Sequence, residues 1–288
     1  MDYPNSICVH HSEDNDGSCS AAIVKYINPE VELIPFDYGD SFPWEKVAKD
    51  KICYMVDVSL PKEDMERLNN STYLIYCDHH ISKMKELDLT RFKGIQRVGT
   101  AACALTWEHL WYPVPIPRGV DLLSRYDVWD LSEDVLNYQY GIRALDLDPN
   151  DTPSWIHNVF RDELIPYHIK QGKVIRAYLD QANKKECNDN AFLTTFEGYT
   201  ALAVNSPSNG SLYFEDHPKY LEVDLLIAFR YDPDPFSKGW KLSLYSLKDN
   251  VDCSAIAGLY GGGGHFNAAG CTCSISTIVS KLLSINED

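Results

Sequence analysis

The chain has 288 residues, enough for two domains, and its 44% hydrophobic content is that of an ordinary globular protein. Its formal net charge of −16 disfavours a protein that binds long nucleic acid along a basic surface. A small anionic substrate is still compatible with this charge if metal ions or a few cations reverse the potential locally. Nine scattered cysteines, no signal peptide and no apolar run of membrane-spanning length predict a soluble, cytoplasmic protein with reduced thiols and no membrane partner.

The first part of the chain alternates short apolar runs with helix-like segments. Strands are predicted at 7–9, 31–35, 51–58 and 73–77, and helices at 18–26 and 60–69. Because the strand segments are continuously apolar rather than alternating, they indicate a parallel sheet that is covered on both faces. The prediction for this part is an open α/β domain.

Acids and histidines end or directly follow three of these predicted strands. The residues are His10, Asp14, Asp16, Asp57, Asp78, His79 and His80. Because the carboxyl ends of parallel strands converge on one crevice, we expect these side chains to form a site for divalent metal ions. For the first stretch, a polar loop in which Asp14 or Asp16 caps a helix is the plainer alternative.

Two further helices are predicted at 99–107 and 118–129. The first begins with small residues, so its free N–H groups could bind a phosphate, and plain helix packing explains it equally well. The second carries Asp127 and Asp130, either of which could reach the metal site.

The second half of the chain has a different character. A Pro- and Asp-rich break at 144–154 predicts a linker, and a helical segment follows at 155–185, interrupted or kinked by Pro166. Strands are then predicted at 199–205, 223–231 and 241–246, the last two joined as a hairpin by the turn-rich residues 232–239. We therefore divide the chain into an α/β domain at 1–145, a helical linker at 146–190 and a smaller α/β domain at 191–288.

Four consecutive glycines stand in the predicted second domain, followed by a histidine. They are Gly261, Gly262, Gly263, Gly264 and His265. A glycine backbone can approach a ligand closely and can form an anion-binding nest of N–H groups. A flexible turn with an incidental histidine is the alternative, but the small residues at 268–270 indicate a tightly packed segment and favour ligand binding.

These motifs together resemble the DHH/DHHA1 phosphoesterases. The resemblance rests on Asp78-His79-His80, His10-x-x-x-Asp14-x-Asp16-Gly17, Asp57 and the segment 261–270, in the right order over nearly the whole chain. That family includes nanoRNases, which also remove the 3′-phosphate of pAp, cyclic-dinucleotide phosphodiesterases and RecJ-type exonucleases. The resemblance implies a DHH catalytic domain, a DHHA1 substrate-binding domain and an active-site cleft between them.

The resemblance also implies a site for two divalent ions, usually Mn²⁺, with Mg²⁺ or Co²⁺ as alternatives. The implied ligands are His10 and Asp14 for one ion and Asp16, His79 and Asp127 for the other, with Asp57 bridging the two. Asp78 would orient a histidine, as imidazole ligands generally require, and His80 would contact the scissile phosphate. His11 has no role in this scheme, and Asp130 is the alternative to Asp127.

On the substrate side, the resemblance implies that Gly262, Gly263, Gly264 and His265 bind the far nucleotide or terminal phosphate. Arg97 is a candidate cation beside the phosphate. One departure concerns the Ser-x-Arg-Ser that family members often carry before the glycines, because the matching stretch here is Ser243-Leu244-Tyr245-Ser246. Tyr245 could stack on a base but supplies no charge, for which Lys248 would have to compensate.

The expected function is metal-dependent hydrolysis of short oligonucleotides, linear dinucleotides or pAp by a metal-activated water. Cyclic-dinucleotide hydrolysis and pyrophosphate or polyphosphate hydrolysis are the alternatives. Segment 261–270 argues against the latter, because the resemblance for that activity involves a different second domain. A non-enzymatic nucleotide sensor would be expected to have lost ligands, whereas every implied ligand position is filled. A homodimer is compatible with the resemblance.

Overall fold

The computed structural model describes residues 6–37, 40–48, 51–206, 211–233 and 239–283. The chain divides into two compact units, Met1–Arg176 and Ala177–Asp288, each with its own sheet. The boundary falls inside the segment that was predicted as a linker. The prediction of a mixed α/β fold with two sheets is confirmed.

The first unit is built on a parallel sheet. Its strands are β1 (Ser6–His11), β2 (Glu32–Phe36), β3 (Ile52–Val56) and β4 (Tyr73–Cys77). They lie in the order β2-β1-β3-β4, and every neighbouring pair is parallel, as predicted. Next to β4 the extended backbone around Lys93 and Gln96 continues the sheet through two parallel bridges.

Helices lie on both faces of this sheet and in a further layer beside it. They are α1 (Asn15–Ile27), α2 (Lys62–Ser71), α3 (Ile81–Met84), α4 (Ala102–Trp111), α5 (Arg118–Asp127), α6 (Glu133–Arg143), α7 (Thr152–Trp155) and α8 (Ile165–Asn190). Apolar residues of α1 and α4 pack on one face and those of α2 on the other, which explains why the strands are apolar throughout. A further apolar layer joins α1, α4, α5 and α6.

The segment predicted as a linker contributes to the core of the first unit. Trp155 and Ile165 are fully buried against α1, α4 and α5. The predicted helix at 155–185 divides into α7, a π turn at Ile156–Phe160 and α8. Pro166 is the second residue of α8, where the missing N–H does no harm, so α8 itself continues without a break.

The second unit has a mixed sheet of six strands among the described residues. They are β5 (Phe192–Phe196), β6 (Tyr199–Asn205), β7 (Leu225–Asp232), β8 (Gly239–Tyr245), β9 (Gly263–Gly264) and β10 (Ala268–Cys273). Their order is β5-β6-β7-β8-β10-β9, and only the pair β6–β7 is parallel. The predicted hairpin of β7 and β8 is antiparallel, and residues 234–238 of its predicted turn lie outside the described residues.

Apolar side chains cover both faces of this second sheet. One face packs against α9 (Cys253–Gly258) and the C-terminal residues Ile278 and Leu282, and the other against Cys187 of α8. The remaining short elements are α10 (Ile275–Thr277), 3-10 turns at Trp44–Lys46, Leu89–Arg91 and Ser211–Phe214, and a π turn at Ile278–Leu282.

All nine cysteines are free and buried, as expected for structural thiols. Burial raises the pKa of both the Cys53 and the Cys77 thiol to about 12, so these groups stay protonated at neutral pH. In the described part of the chain, no helix combines the length and the hydrophobicity that a membrane crossing requires.

Candidate metal centre

The carboxyl ends of three neighbouring strands deliver acids and imidazoles to one edge of the first sheet. His11 is the last residue of β1, Asp57 follows β3, and Asp78 follows β4. Asp57 has a φ of +60°, a left-handed conformation that an aspartate keeps only where its surroundings fix it. The strand order therefore brings together side chains that are far apart along the chain.

The first group of potential ligands consists of His11, Asp14 and Asp57, whose donor atoms lie within 4.8 Å of one another. His11 Nδ1 is 3.1 Å from Asp14 Oδ2 and 3.6 Å from Asp57 Oδ2. Asp14 is also the N-cap of α1, because its Oδ1 accepts a 2.9 Å hydrogen bond from the N–H of Gly17. The capping and ligand interpretations of Asp14 are thus compatible.

The second group consists of Asp16, His79 and Asp127. His79 Nε2 lies 3.1 Å from Asp127 Oδ2, 3.4 Å from Asp57 Oδ1 and 3.7 Å from Asp16 Oδ2. Asp127 is the last residue of α5, so one acid of this group comes from a helix that follows the strands of the sheet. Asp57 faces both groups, with one oxygen towards each.

The carboxylate of Asp57 is the centre of the arrangement. The residue is 1% exposed, and neither of its oxygens makes a hydrogen bond of ordinary length among the described residues. The nearest ring nitrogens of His11, His79 and His80 lie 3.4 to 3.9 Å from its carboxylate oxygens. A buried carboxylate that lacks close hydrogen bonds is unfavourable unless a cation compensates it, so Asp57 points to a bound positive charge.

His10, the expected first ligand, lies outside both groups. Successive side chains of a strand point to opposite faces, so His10 shares the face of Cys8 while His11 shares that of Ile7 and Val9. The Nδ1 atom of His10 is 2.8 Å from the carbonyl oxygen of His11, and the residue is 4% exposed. The structure thus puts His11, to which the resemblance gave no role, where His10 was expected.

Asp78 holds His80. Its Oδ1 lies 2.7 Å from His80 Nδ1 and accepts hydrogen bonds from the N–H groups of His79 and His80, and its Oδ2 accepts one from the hydroxyl of Tyr76. Asp78 is fully buried. Burial opposes the charged form of His80, but the carboxylate of Asp78 outweighs it and raises the pKa of that imidazole.

Burial, like charges and unlike charges all act at short range on the pKa values of the two groups. Burial opposes ionisation of Asp57, yet the nearby imidazoles of His11 and His79, at 3.6 and 3.4 Å, lower its pKa. Burial raises the pKa of Asp16 well above its usual value, and the charges of Asp57 and Asp127 add to the effect. Burial also opposes the charge on His79, but Asp127 and Asp57 raise its pKa to about 12. Protons on imidazoles thus offset the carboxylates, a role that a divalent cation could take over.

Two other candidates from the first unit have protein partners. The guanidinium of Arg97 pairs with Glu108 of α4, with Nη2 2.6 Å from Oε2, and its Nε donates to Thr100. Asp130 pairs with Arg125 and caps the turn at Ser132, so it does not join the metal groups, whereas Asp127 does.

In the second unit the glycines form a tight hairpin. Gly263 and Gly264 pair with Gly270 and Ala269 of β10. A Cβ atom on Gly262 would lie 2.1 Å from the carbonyl oxygen of Gly270, so this glycine is required by a close approach of two backbones. The N–H of His265 donates to the carbonyl of Ala268 at 2.7 Å.

Tyr245, in the position where the family often has arginine, is the last residue of β8 and lies beside Leu226 and Ala268. Its ring packs against the apolar cluster on the face of α8. Lys248 donates to Asp224 at 2.8 Å, so its charge is already paired within the second unit.

The two groups in the first unit fit divalent cations. They offer carboxylate oxygens and imidazole nitrogens, the donors of sites for Mn²⁺ and similar ions, and none offers a thiolate. The oxygens of Asp57 lack hydrogen bonds that a cation would otherwise have to displace. The donor set and this orphaned carboxylate both favour metal binding.

Comparisons with known proteins agree with this architecture. The DHH domain of a protein assigned to a family of ribosomal proteins matches with a TM-score of 0.60 at 13% identity, over 96% of this chain and 84% of that chain. A pGpG-specific phosphodiesterase, PggH from Vibrio cholerae, matches with a TM-score of 0.53 at 14% identity, over 96% of this chain and 95% of that one. This chain therefore has the fold of the DHH-domain proteins.

In sequence, the uncharacterized protein R106 of Acanthamoeba polyphaga mimivirus is 23% identical over 222 residues, 72% of this chain and 49% of that protein. The chain thus spans about half the length of this curated relative. No protein-family profile matches the chain.

Proposed function

We propose that this chain is a metal-dependent phosphoesterase that acts on short nucleotide substrates. The observation that carries the proposal is Asp57, a buried carboxylate without ordinary hydrogen bonds that faces two groups of potential ligands at once. A carboxylate in that position is suited to bridging two cations. The fold, which is that of the DHH-domain proteins, supports the same interpretation.

The proposed ligands form two sets that share Asp57. They are His11 and Asp14 for one ion and Asp16, His79 and Asp127 for the other. His11 takes the place expected for His10, because only His11 lies on the same side of β1 as the other donors. Manganese is the proposed ion, with magnesium or cobalt as alternatives of the same oxygen and nitrogen preference.

Bound cations would supply an activated water and stabilise charge on the phosphate. The chain's own contribution is orientation and proton placement. Asp78 accepts the Nδ1 proton of His80 and favours its charged form, so His80 would donate a hydrogen bond to a phosphate oxygen. Asp57 and Asp127 both approach Nε2 of His79, at 3.4 and 3.1 Å, so this nitrogen would face the second cation.

Short nucleotides are the proposed substrates: dinucleotides, oligonucleotides of a few residues, or pAp. The net charge of −16 disfavours long nucleic acid, and the structurally similar PggH is by name a phosphodiesterase for a dinucleotide. In the second unit, Gly262, Gly263, Gly264 and His265 are proposed to bind the far nucleotide. Tyr245 would offer an aromatic ring to the substrate rather than a charge. Lys248 is not proposed to bind the substrate, because its ammonium group donates a hydrogen bond to Asp224.

The test is a hydrolysis assay in the presence of Mn²⁺ with a dinucleotide, a pentanucleotide, a long oligonucleotide, pAp, a cyclic dinucleotide and pyrophosphate. We expect mononucleotide release from the short substrates, with the long oligonucleotide spared. Cleavage of pyrophosphate alone would overturn the proposed substrate class and keep the metal centre. The absence of turnover on every compound would favour a nucleotide sensor instead.

Two variants make this assay specific. Asp57→Asn removes the charge that both ions would share. Mutation of a residue that only hydrogen-bonds to a metal ligand typically lowers activity by about 10- to 100-fold, so loss of a shared ligand should lower it by more than about 100-fold. Asp88→Asn is the matched control, because Asp88 is exposed and only caps a 3-10 turn at Thr90. Full activity of Asp57→Asn would contradict the bridging role.

A further inference from the structure

Asp37 contacts the metal centre from a strand that supplies none of the proposed ligands. It follows β2 directly, and β2 lies beside β1, with Phe36 opposite His11. Asp37 Oδ1 is 3.3 Å from His11 Nε2. The same carboxylate accepts hydrogen bonds from the N–H of Ser12 at 3.3 Å and from the Ser12 hydroxyl at 2.8 Å. It therefore meets the ring of His11 on the edge away from Asp14 and Asp57.

The two ring nitrogens of His11 thus face different partners. Nδ1 lies 3.1 Å from Asp14 and 3.6 Å from Asp57, the two acids of the first ligand group, whereas Nε2 faces Asp37. A neutral imidazole carries one proton and one lone pair, so a proton donated to Asp37 from Nε2 leaves the lone pair on Nδ1. In that tautomer the lone pair points at the two acids.

We propose that Asp37 is a positioning residue that holds His11 as the Nε2–H tautomer, so that Nδ1 is the atom that binds metal. This inference rests on the proposed function, since it needs the first ligand group to hold a cation. A carboxylate on the far nitrogen of an imidazole ligand fixes both the tautomer and the ring orientation, and it raises the basicity of the ligating atom. Asp37 occupies that place for His11.

The arrangement differs from that at the second group. There His79 turns Nε2, not Nδ1, towards Asp16, Asp57 and Asp127. The two imidazoles would therefore bind their cations through different nitrogens. This difference gives the proposal a spectroscopic signature that a merely structural role of Asp37 would not produce.

Asp37 also anchors Ser12, which begins the turn that leads to Asp14. Loss of that anchor could loosen the turn without any effect on the His11 tautomer. Ser12→Ala separates the two roles, because it removes the hydroxyl bond to Asp37 and leaves the contact with His11 Nε2 in place. Glu32→Gln is a control at the other end of β2, where Glu32 is exposed and pairs with Lys46.

The experiment measures Mn²⁺ binding to the full chain, stripped of metal by a chelator, by electron paramagnetic resonance of the free ion. The variants are Asp37→Asn, which keeps an oxygen acceptor in the same shape, and Asp37→Ala, which removes it. We expect Asp37→Ala to weaken one of two bound ions by about 10- to 100-fold and Asp37→Asn to weaken it less. Ser12→Ala and Glu32→Gln should bind both ions like the wild type.

A second readout follows the tautomer. In the Mg²⁺-loaded protein, imidazole ¹⁵N shifts should report a protonated Nε2 for His11 and a metal-bound Nε2 for His79, and Asp37→Ala should broaden or shift only the His11 signals. Far-ultraviolet circular dichroism checks that each variant is folded. If Asp37→Ala does not fold, the test relies on Asp37→Asn, which preserves the shape of the side chain.

Three results would overturn the inference. They are unchanged Mn²⁺ affinity in both Asp37 variants, a loss in Ser12→Ala as large as in Asp37→Ala, and a protonated Nδ1 on His11. Asp57→Asn distinguishes this failure from failure of the proposed function. If Asp57→Asn loses Mn²⁺ while the Asp37 variants keep it, only the role of Asp37 fails. If the wild type binds no Mn²⁺, or Asp57→Asn binds it equally well, both proposals fail.

Discussion

Asp16 Oδ1 accepts a 2.7 Å hydrogen bond from the backbone N–H of Cys103, although the two residues are 87 positions apart in the sequence. Its Oδ2 accepts another, of 2.8 Å, from the N–H of Ala102. Helix α4 thus begins against a carboxylate of α1. These two N–H groups belong to the helix start that was considered for phosphate binding, and here they bind a protein acid, which favours the packing interpretation.

Asp16→Ala should speed hydrogen exchange at the amides of Ala102 and Cys103. Both N–H groups are buried, and the substitution removes the carboxylate that accepts from them, so local opening of the first turn of α4 becomes easier. Exchange measured by NMR or mass spectrometry resolves the effect. Asp130→Ala is the control, since it removes a comparable bond to the N–H of Ser132 and should leave both α4 amides slow. Equal exchange in Asp16→Ala and wild type would contradict the capping role.

Addition of Mn²⁺ should stabilise the wild-type protein, and chelation should reverse the effect. Three carboxylates, Asp16, Asp57 and Asp127, meet around His79, and a cation bound only by the folded state relieves their repulsion. At a hundredfold excess of free ion over its dissociation constant, the free energy of unfolding should rise by about 2.7 kcal/mol. Thermal or urea unfolding measures this rise. The same addition to Asp57→Asn should give a much smaller rise, and an equal one would count against the shared ligand.

Gly17→Ala should lower the free energy of unfolding by about 1–3 kcal/mol or prevent folding. A Cβ atom at this position would lie 2.1 Å from the carbonyl oxygen of His11, a backbone atom that cannot move without shifting the end of β1. Gly258→Ala in α9 is the matched control, because a Cβ atom there meets nothing within 4 Å. Urea denaturation of both variants measures the difference. A Gly17→Ala protein as stable as Gly258→Ala would show that the close approach is not rigid.

Asp224 should contribute a pH-dependent part of the stability. Hydrogen bonds from Lys248 and Thr200 lower its pKa to about 2 in the folded chain. Because the folded pKa lies below the unfolded value of about 3.9, the contribution is complete above that value and is lost as the pH falls towards 2. Asp224→Asn should therefore be less stable than the wild type at neutral pH, and the gap should close below about pH 4. Urea denaturation across this range measures the gap, and a constant gap would refute the assignment.

The sheet of the first unit could be predicted because buried parallel strands are continuously apolar, and β4 has the predicted bounds. Helix α6 was not predicted, since its buried side chains include Asn137 and Gln139, which hide the helical periodicity. Strand β10 was not predicted either, because three of its six residues are Ala or Gly, which are depleted in strands.

The convergence of acids at the sheet edge followed from topology, but the choice between His10 and His11 did not. Adjacent residues of a strand point to opposite faces of the sheet. A shift of the strand by one residue would therefore put His10 on the face that His11 now occupies. The phase of β1 is set by how it packs between α1 and α2, which no local pattern reveals. Asp37 has a signal in the sequence, because it is an acid just beyond the predicted strand at 31–35.

The glycine hairpin has a practical consequence for labelling the protein. Gly261 and Gly264 have φ values of +74° and +142°, and Gly262 is confined by β10, but Gly263 has open space around its Cα. All nine native thiols are buried, so a Gly263→Cys chain would carry a single readily accessible thiol. A fluorophore attached there would sit two residues from His265 and report directly on ligands that reach the second unit.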